Sequence, residues 1–141
     1  MLLYKSLISL DTKTIYFIIY RKAGNGTYKA TTWQIKFNLK AVIQTRIYTL
    51  RIALAAASTI DLLVWVNEVD SKPLFITGLI GRDNAIARHG IHGLYKLYNI
   101  DVHGKLLRVG NNTIFLTHGR NSDSFSGVMY DYLRLEGPSG V

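Results

Sequence analysis

Seven residues within one short stretch carry the side chains best suited to holding a ligand: Arg82, Asp83, Asn84, Arg88, His89, His92 and Tyr95. The two guanidinium groups are planar donor forks that match carboxylates. Asp83, Asn84, His89 and His92 supply donors and acceptors for hydroxyl groups. Tyr95 adds a ring for stacking. The same residues also admit a structural reading. In it, Asp83 pairs with an arginine and the Asn and His side chains tie down loop backbone. The stretch Gly81–Gly93 is polar, charged and punctuated by glycine, and it fits neither a helix nor a strand. A long irregular connection in a compact domain is a frequent location of function.

Other chemistries find less support. His89 and His92 are three apart, a spacing that shares a face on a helix but not on a strand. Gly90 opposes a helix there, and no carboxylate completes a transition-metal set. A structural Ca²⁺ is the one cofactor with candidate ligands, Asp83, Asp101 and Asp131. No cysteine is present, which excludes disulfides and thiol chemistry. Ser122, Ser124 and Ser126 sit in a polar loop without the glycine-flanked turn of a serine nucleophile. Trp33 and Trp65 are expected in the core or on a sheet face, with Trp65 the better ring platform. Tyr130 and Tyr132, around Asp131, are expected to pack in the core with their hydroxyls bonded at its edge.

The elements that must position these residues read as strands. Thr32 to Leu39 alternates, with Trp33, Ile35, Phe37 and Leu39 on one side and Gln34, Lys36 and Asn38 on the other. Tyr48 to Ala56 places Leu50, Ile52, Leu54 and Ala56 on one face. Ala55–Ala57 invites a helix, but Ile47, Tyr48 and Ile52 oppose it, and small residues there let another layer approach closely. Ile60 to Val66 turns Ile60, Leu62, Val64 and Val66 inward and Trp65 outward. Leu74 to Thr77 is short. Leu94 to Val102 sets Leu94, Lys96, Tyr98 and Ile100 against Tyr95, Leu97 and Asn99. Leu106 to Val109 is short, and Gly110–Asn112 reads as a tight turn before a strand over Thr113 to Thr117. Val128 to Leu135 sets Val128, Tyr130, Tyr132 and Arg134 against Met129, Asp131, Leu133 and Leu135. About eight strands joined by turns too short for helical crossovers predict an all-β fold, an antiparallel β-sandwich of jelly-roll type.

The chain has 141 residues, 48% of them hydrophobic, enough for one domain with its own core. Its 17 Lys and Arg outnumber 9 Asp and Glu, a formal charge of +8 that suits polyanionic partners. Much of this charge lies near the N-terminus, without a basic run. Residues 1–20 hold two short apolar runs broken by charge, and read as an atypical leader or a strand remnant ahead of a domain spanning 21–141. No stretch approaches the ~20 apolar residues of a membrane span, so no membrane partner is expected. With neither a recognition helix nor an aromatic RNA-binding motif, nucleic acid is not expected either. Asn25–Thr27 and Asn111–Thr113 are glycosylation sequons if the chain is secreted.

Four blocks resemble the C-terminal domain of plant rhamnogalacturonan lyases, polysaccharide lyase family 4. They are Ala30–Phe37, Gly81–Tyr95, Gly110–Leu116 and Gly127–Pro138, in the family's order and covering most of the chain from Asn25 to Pro138. The resemblance implies a jelly-roll, galactose-binding-like fold. In whole enzymes of this kind the domain follows a catalytic β-sandwich and a small fibronectin-like domain, and the enzyme cleaves the rhamnogalacturonan I backbone of pectin by β-elimination. The catalytic lysine and histidine of the family lie in that first domain, so none carries over here. The implied role is a non-catalytic accessory domain that binds an acidic polysaccharide, rhamnogalacturonan I, at Arg82–Tyr95 in the cell wall or outside the cell. The alternative is a structural domain packed on a catalytic lyase domain. Lys96 where an aromatic residue is expected, His103 in place of a turn proline, and Gln44–Ile47 without the expected glycine depart from the pattern and imply a truncated or relaxed copy.

Overall fold

The structure is a computed structural model. It describes residues 32–80 (Ser58 by backbone only), 95–119 and 127–138, together with the backbone pairings of three short segments nearer the N-terminus. The strands in chain order are β1 (Leu7–Ile8), β2 (Arg21–Lys22), β3 (Tyr28–Lys29), β4 (Thr32–Leu39) and β5 (Ile47–Ser58). Then follow β6 (Leu62–Val66), β7 (Phe75–Ile76), β8 (Lys96–His103), β9 (Gly110–His118) and β10 (Gly127–Glu136). A 3-10 turn at Gly104–Leu106 separates β8 from β9.

The pairings nest. β6 pairs with β7, β5 with β8, β4 with β9 and β1 with β10, all antiparallel. Successive pairs alternate between two sheets, so the chain is one long hairpin rolled over itself. Pairings of β10 with β5 and β9 with β6 close the sheets in the orders β1-β10-β5-β8 and β4-β9-β6-β7. This is the jelly roll expected from strand spacing and from the resemblance. The small β2–β3 pair lies outside both sheets and brackets Gly24–Gly26.

The core forms between the sheets. Leu50, Ile52 and Leu54 of β5 meet Leu62 and Val64 of β6 and Ile114 and Leu116 of β9, each at 1% exposure or less. Strand alternation puts them there, and burial of this kind contributes about 1.5–3 kcal/mol per large aliphatic side chain.

Two expectations about facing fail at one point in the sheet. Ala57, not Ala56, joins the core beside Leu54, and Leu133 and Leu135 face inward in place of Tyr132 and Arg134. The cause is a pair of register shifts between β10 and β5. Tyr130 pairs with Leu54 but Tyr132 pairs with Ala53, which leaves Asp131 as an extra residue, and Ala55 is skipped on β5. Each inserted residue flips the period-two pattern beyond it.

Gly110–Asn112 is also not a separate turn. These residues belong to β9, where Asn111 and Asn112 pair with Asn38 and Phe37. The reversal lies just before them, and the Asn112 side chain ties it down. Its amide nitrogen donates to the carbonyls of Arg108 (2.7 Å) and Gly110 (2.9 Å), and its amide oxygen accepts from the Arg108 N–H (2.9 Å). Gly110, at φ +91, supplies the left-handed step. The turn at Gln44–Arg46 forms without glycine, because none of its residues needs a positive φ.

Candidate functional site

Three of the connections that pass between the sheets, β5 to β6, β7 to β8 and β9 to β10, belong to one end of the sandwich. β5 ends there and β10 begins, with Ser58 opposite Gly127. β6 begins beside the end of β9, with Leu62 opposite His118. The segment after β7 starts from a bridge between Ile60 and Ile80 and reaches β8 at Tyr95 and Lys96. Thr77 caps the β6 side of this end, its hydroxyl accepting from the Leu62 N–H at 2.9 Å. Thr59 occupies the left-handed region at φ +50.

Of the residues singled out in the sequence, Tyr95 is placed. Its ring is exposed, and its hydroxyl donates to Asp131 Oδ2 at 3.0 Å. β8 and β10 flank β5, so this bond joins the two neighbours of β5 on the side away from Leu54, where Ala53 and Ala56 are buried. Desolvation, and then the Asp131 carboxylate, hold the phenol above its ordinary pKa, so it stays a neutral donor. Arg82, Asp83, Asn84, Arg88, His89 and His92 lie outside the described residues, between the two placed ends, Ile80 and Tyr95.

Two further groups at this end were not singled out beforehand. His118 is fully buried at the end of β9, and burial pushes its pKa down to about 4 against the opposing pull of the Asp61 charge. It is therefore held as neutral imidazole at neutral pH. Gly119 follows, its N–H donating to the Asp61 carbonyl at 2.9 Å, and a Cβ there would strike the Asp61 carboxylate. The strand expected to end at Thr117, with a polar loop from His118, instead runs through His118, whose parity with Ile114 and Leu116 turns it inward.

The Tyr130 expectation is half met. Its side chain packs in the core, but its buried hydroxyl has no hydrogen-bond partner among the described residues, because Tyr130 points between the sheets rather than to an edge. Tyr132 lies on the outward side beyond the bulge. Trp33 packs against the core from β4, whereas Trp65 faces outward from β6, its indole N–H donating to the Ser71 carbonyl at 2.9 Å. Among the described residues no three His, Cys, Asp or Glu side chains cluster as a metal site. Asp101 and Asp131 stand on β8 and β10, with β5 between them. No helix among these residues is long and apolar enough to cross a membrane.

Comparison with known proteins fits this architecture. A family 35 carbohydrate-binding module from an environmental isolate superposes with a TM-score of 0.50 at 15% identity, covering 97% of this chain and 93% of that one. At that identity the likeness is one of fold. No curated protein matches the chain in sequence. Residues 8–135 match the family described as CBM-like, polysaccharide lyase family 4, domain III. That match spans nearly the whole sandwich, and the chain therefore belongs to polysaccharide lyase family 4 as its CBM-like domain III.

Proposed function

We propose that this domain is a non-catalytic accessory module that binds rhamnogalacturonan I in the plant cell wall, for a lyase domain carried elsewhere. The observation that supports this most directly is Tyr95. Its exposed ring is held in one orientation by Asp131, at the end of the segment that carries Arg82, Arg88, His89 and His92. A ring fixed before binding loses little freedom when a sugar stacks on it, and guanidinium forks match uronate carboxylates. Membership of a carbohydrate-binding-like family and the fold shared with a carbohydrate-binding module point the same way. The net charge of +8 favours a polyanion over a neutral glucan.

Calorimetric titration of the folded chain with rhamnogalacturonan I oligosaccharides tests this reading, with absorbance of unsaturated product followed in the same sample. Salt-sensitive binding without product is expected, weakened in Tyr95→Ala and in Arg82→Gln with Arg88→Gln. Equal affinity for neutral glucans removes the charge-based recognition. No binding at all favours a purely structural domain that packs on a lyase, and product formation overturns the non-catalytic assignment.

A further inference from the structure

The outward faces of the two sheets differ in their charge. On the sheet containing β5 and β10, cations are already matched. Arg51 and Arg134 both meet Glu136, at 2.9 and 3.5 Å. On the other sheet, β4, β9, β6 and β7 together carry one cation at an outward position, Lys36, and no carboxylate.

The same face carries two aromatic rings in register. Trp65 is the cross-strand partner of Phe115, and Phe115 is in turn the partner of Gln34. A row across the sheet therefore reads Trp65, Phe115, Gln34, stepping about 4.8 Å from strand to strand. That stride is comparable with the length of one pyranose residue. Lys36 and its partner Thr113 form the next row. The indole bond to the Ser71 carbonyl restrains the Trp65 ring before any ligand arrives.

We propose that this face is a second polysaccharide-contact surface, on which a uronate-containing chain lies across the strands. Its sugar rings stack on Trp65 and Phe115, and one carboxylate meets Lys36. The proposal rests on the carbohydrate-binding function above and adds a surface distinct from the Tyr95 end. A pyranose ring has an apolar C–H face and a rim of hydroxyls. This surface has the complementary pattern, an aromatic strip on β6 and β9 bordered by the exposed polar edge of β4. Among these four strands Lys36 is a cation with no carboxylate beside it at an outward position, which favours an anionic chain.

The test uses the full chain, titrated with rhamnogalacturonan I oligosaccharides and with a neutral glucan, by calorimetry and tryptophan fluorescence. Trp65→Ala and Phe115→Thr are each expected to weaken rhamnogalacturonan binding about tenfold or more, with unfolding midpoints reported beside the affinities. Lys36→Gln is expected to weaken it about threefold and to flatten its salt dependence. Trp65→Phe preserves a ring and should keep most of the affinity while abolishing the fluorescence change, because Trp33 sits on the core side. If Trp65→Ala and Phe115→Thr bind like the wild type while Tyr95→Ala does not, the second surface is overturned and the Tyr95 site stands. If the wild type binds no glycan, both are overturned. If Trp65→Ala instead turns a dimer into a monomer in sedimentation with glycan affinity unchanged, the face is a self-interface and the proposal fails.

Discussion

At one end of the sandwich, where β6 turns into β7 and β8 into β9, two asparagines hold three segments together. Asn67, in the left-handed region at φ +62, donates its amide to the Leu106 carbonyl (2.7 Å) and to Asn112 Oδ1 (2.9 Å). Its own Oδ1 accepts from the Thr113 N–H at 2.9 Å. Asn112 completes the clasp around Arg108 and Gly110. At the opposite end, the Tyr95 phenol meets a carboxylate on the surface, Thr59 holds a positive φ, and His118 is buried as neutral imidazole. The first end turns its polar groups inward onto backbone and so braces the fold. The second buries His118 but carries Tyr95 and Asp131 facing outward. The asparagine clasp is thereby at one end, and the Tyr95 contact of the proposed site is at the other.

Four measurements would sharpen or break that division. Asn112→Ala should have the largest effect. It strands buried donors and acceptors of the reversal and should cost about 3 kcal/mol in urea unfolding, while glycan affinity of the folded fraction is unchanged. A cost near zero would show that the clasp is decoration.

Acid should act next, and from the other end. The His118 pKa in the folded state, about 4, lies below the ordinary 6.5, so the fold favours the neutral ring. The stability that this contributes is complete above pH 6.5 and is lost as pH falls from 6.5 to about 4, a change on the order of 3 kcal/mol. His118→Gln should remove that slope from a stability–pH curve. A mutant curve parallel to the wild type would reject the assignment.

Tyr95→Ala should lower glycan affinity about tenfold and leave the urea midpoint unchanged, the reverse of the Asn112 pattern. Loss of stability without loss of binding would place Tyr95 with the braces. The smallest effect belongs to Tyr130→Phe. Removing a buried hydroxyl that has no partner among the described residues should change stability by less than about 0.5 kcal/mol, or raise it slightly. A large destabilisation would mean that the hydroxyl is bonded after all.

The strand content was legible because alternation of apolar and polar residues is a direct record of a half-buried sheet. Thr32–Leu39 coincides with β4, and the inward set Leu62, Val64 and Val66, with Trp65 outward, is as expected. What alternation could not show was where the count slips. Asp131 and Ala55 look like any other strand residues, and their insertion exchanges the sides of every residue beyond them. The Asn112 clasp was hidden for a related reason. Gly110–Asn112 carries the composition of a turn, yet the turn it stabilises is formed by its neighbours, through a side chain that folds back on them. His118 lies beyond the expected end of its strand, and its neutral state follows only from complete burial.

From its residues alone, this chain determined an all-β fold, a net positive charge, no thiol chemistry and a family resemblance that its match over residues 8–135 upholds. These are local properties, set by side-chain type, spacing and composition. Only the tertiary structure decided that β1 pairs with β10 and β4 with β9, that Tyr95 reaches Asp131 across an alanine strand, and that Trp65, Phe115 and Lys36 share one outward face. Each joins positions distant in sequence. Strand patterns specify which face a residue takes, whereas register and bulges, fixed by the packing of both sheets together, specify which residues meet on it.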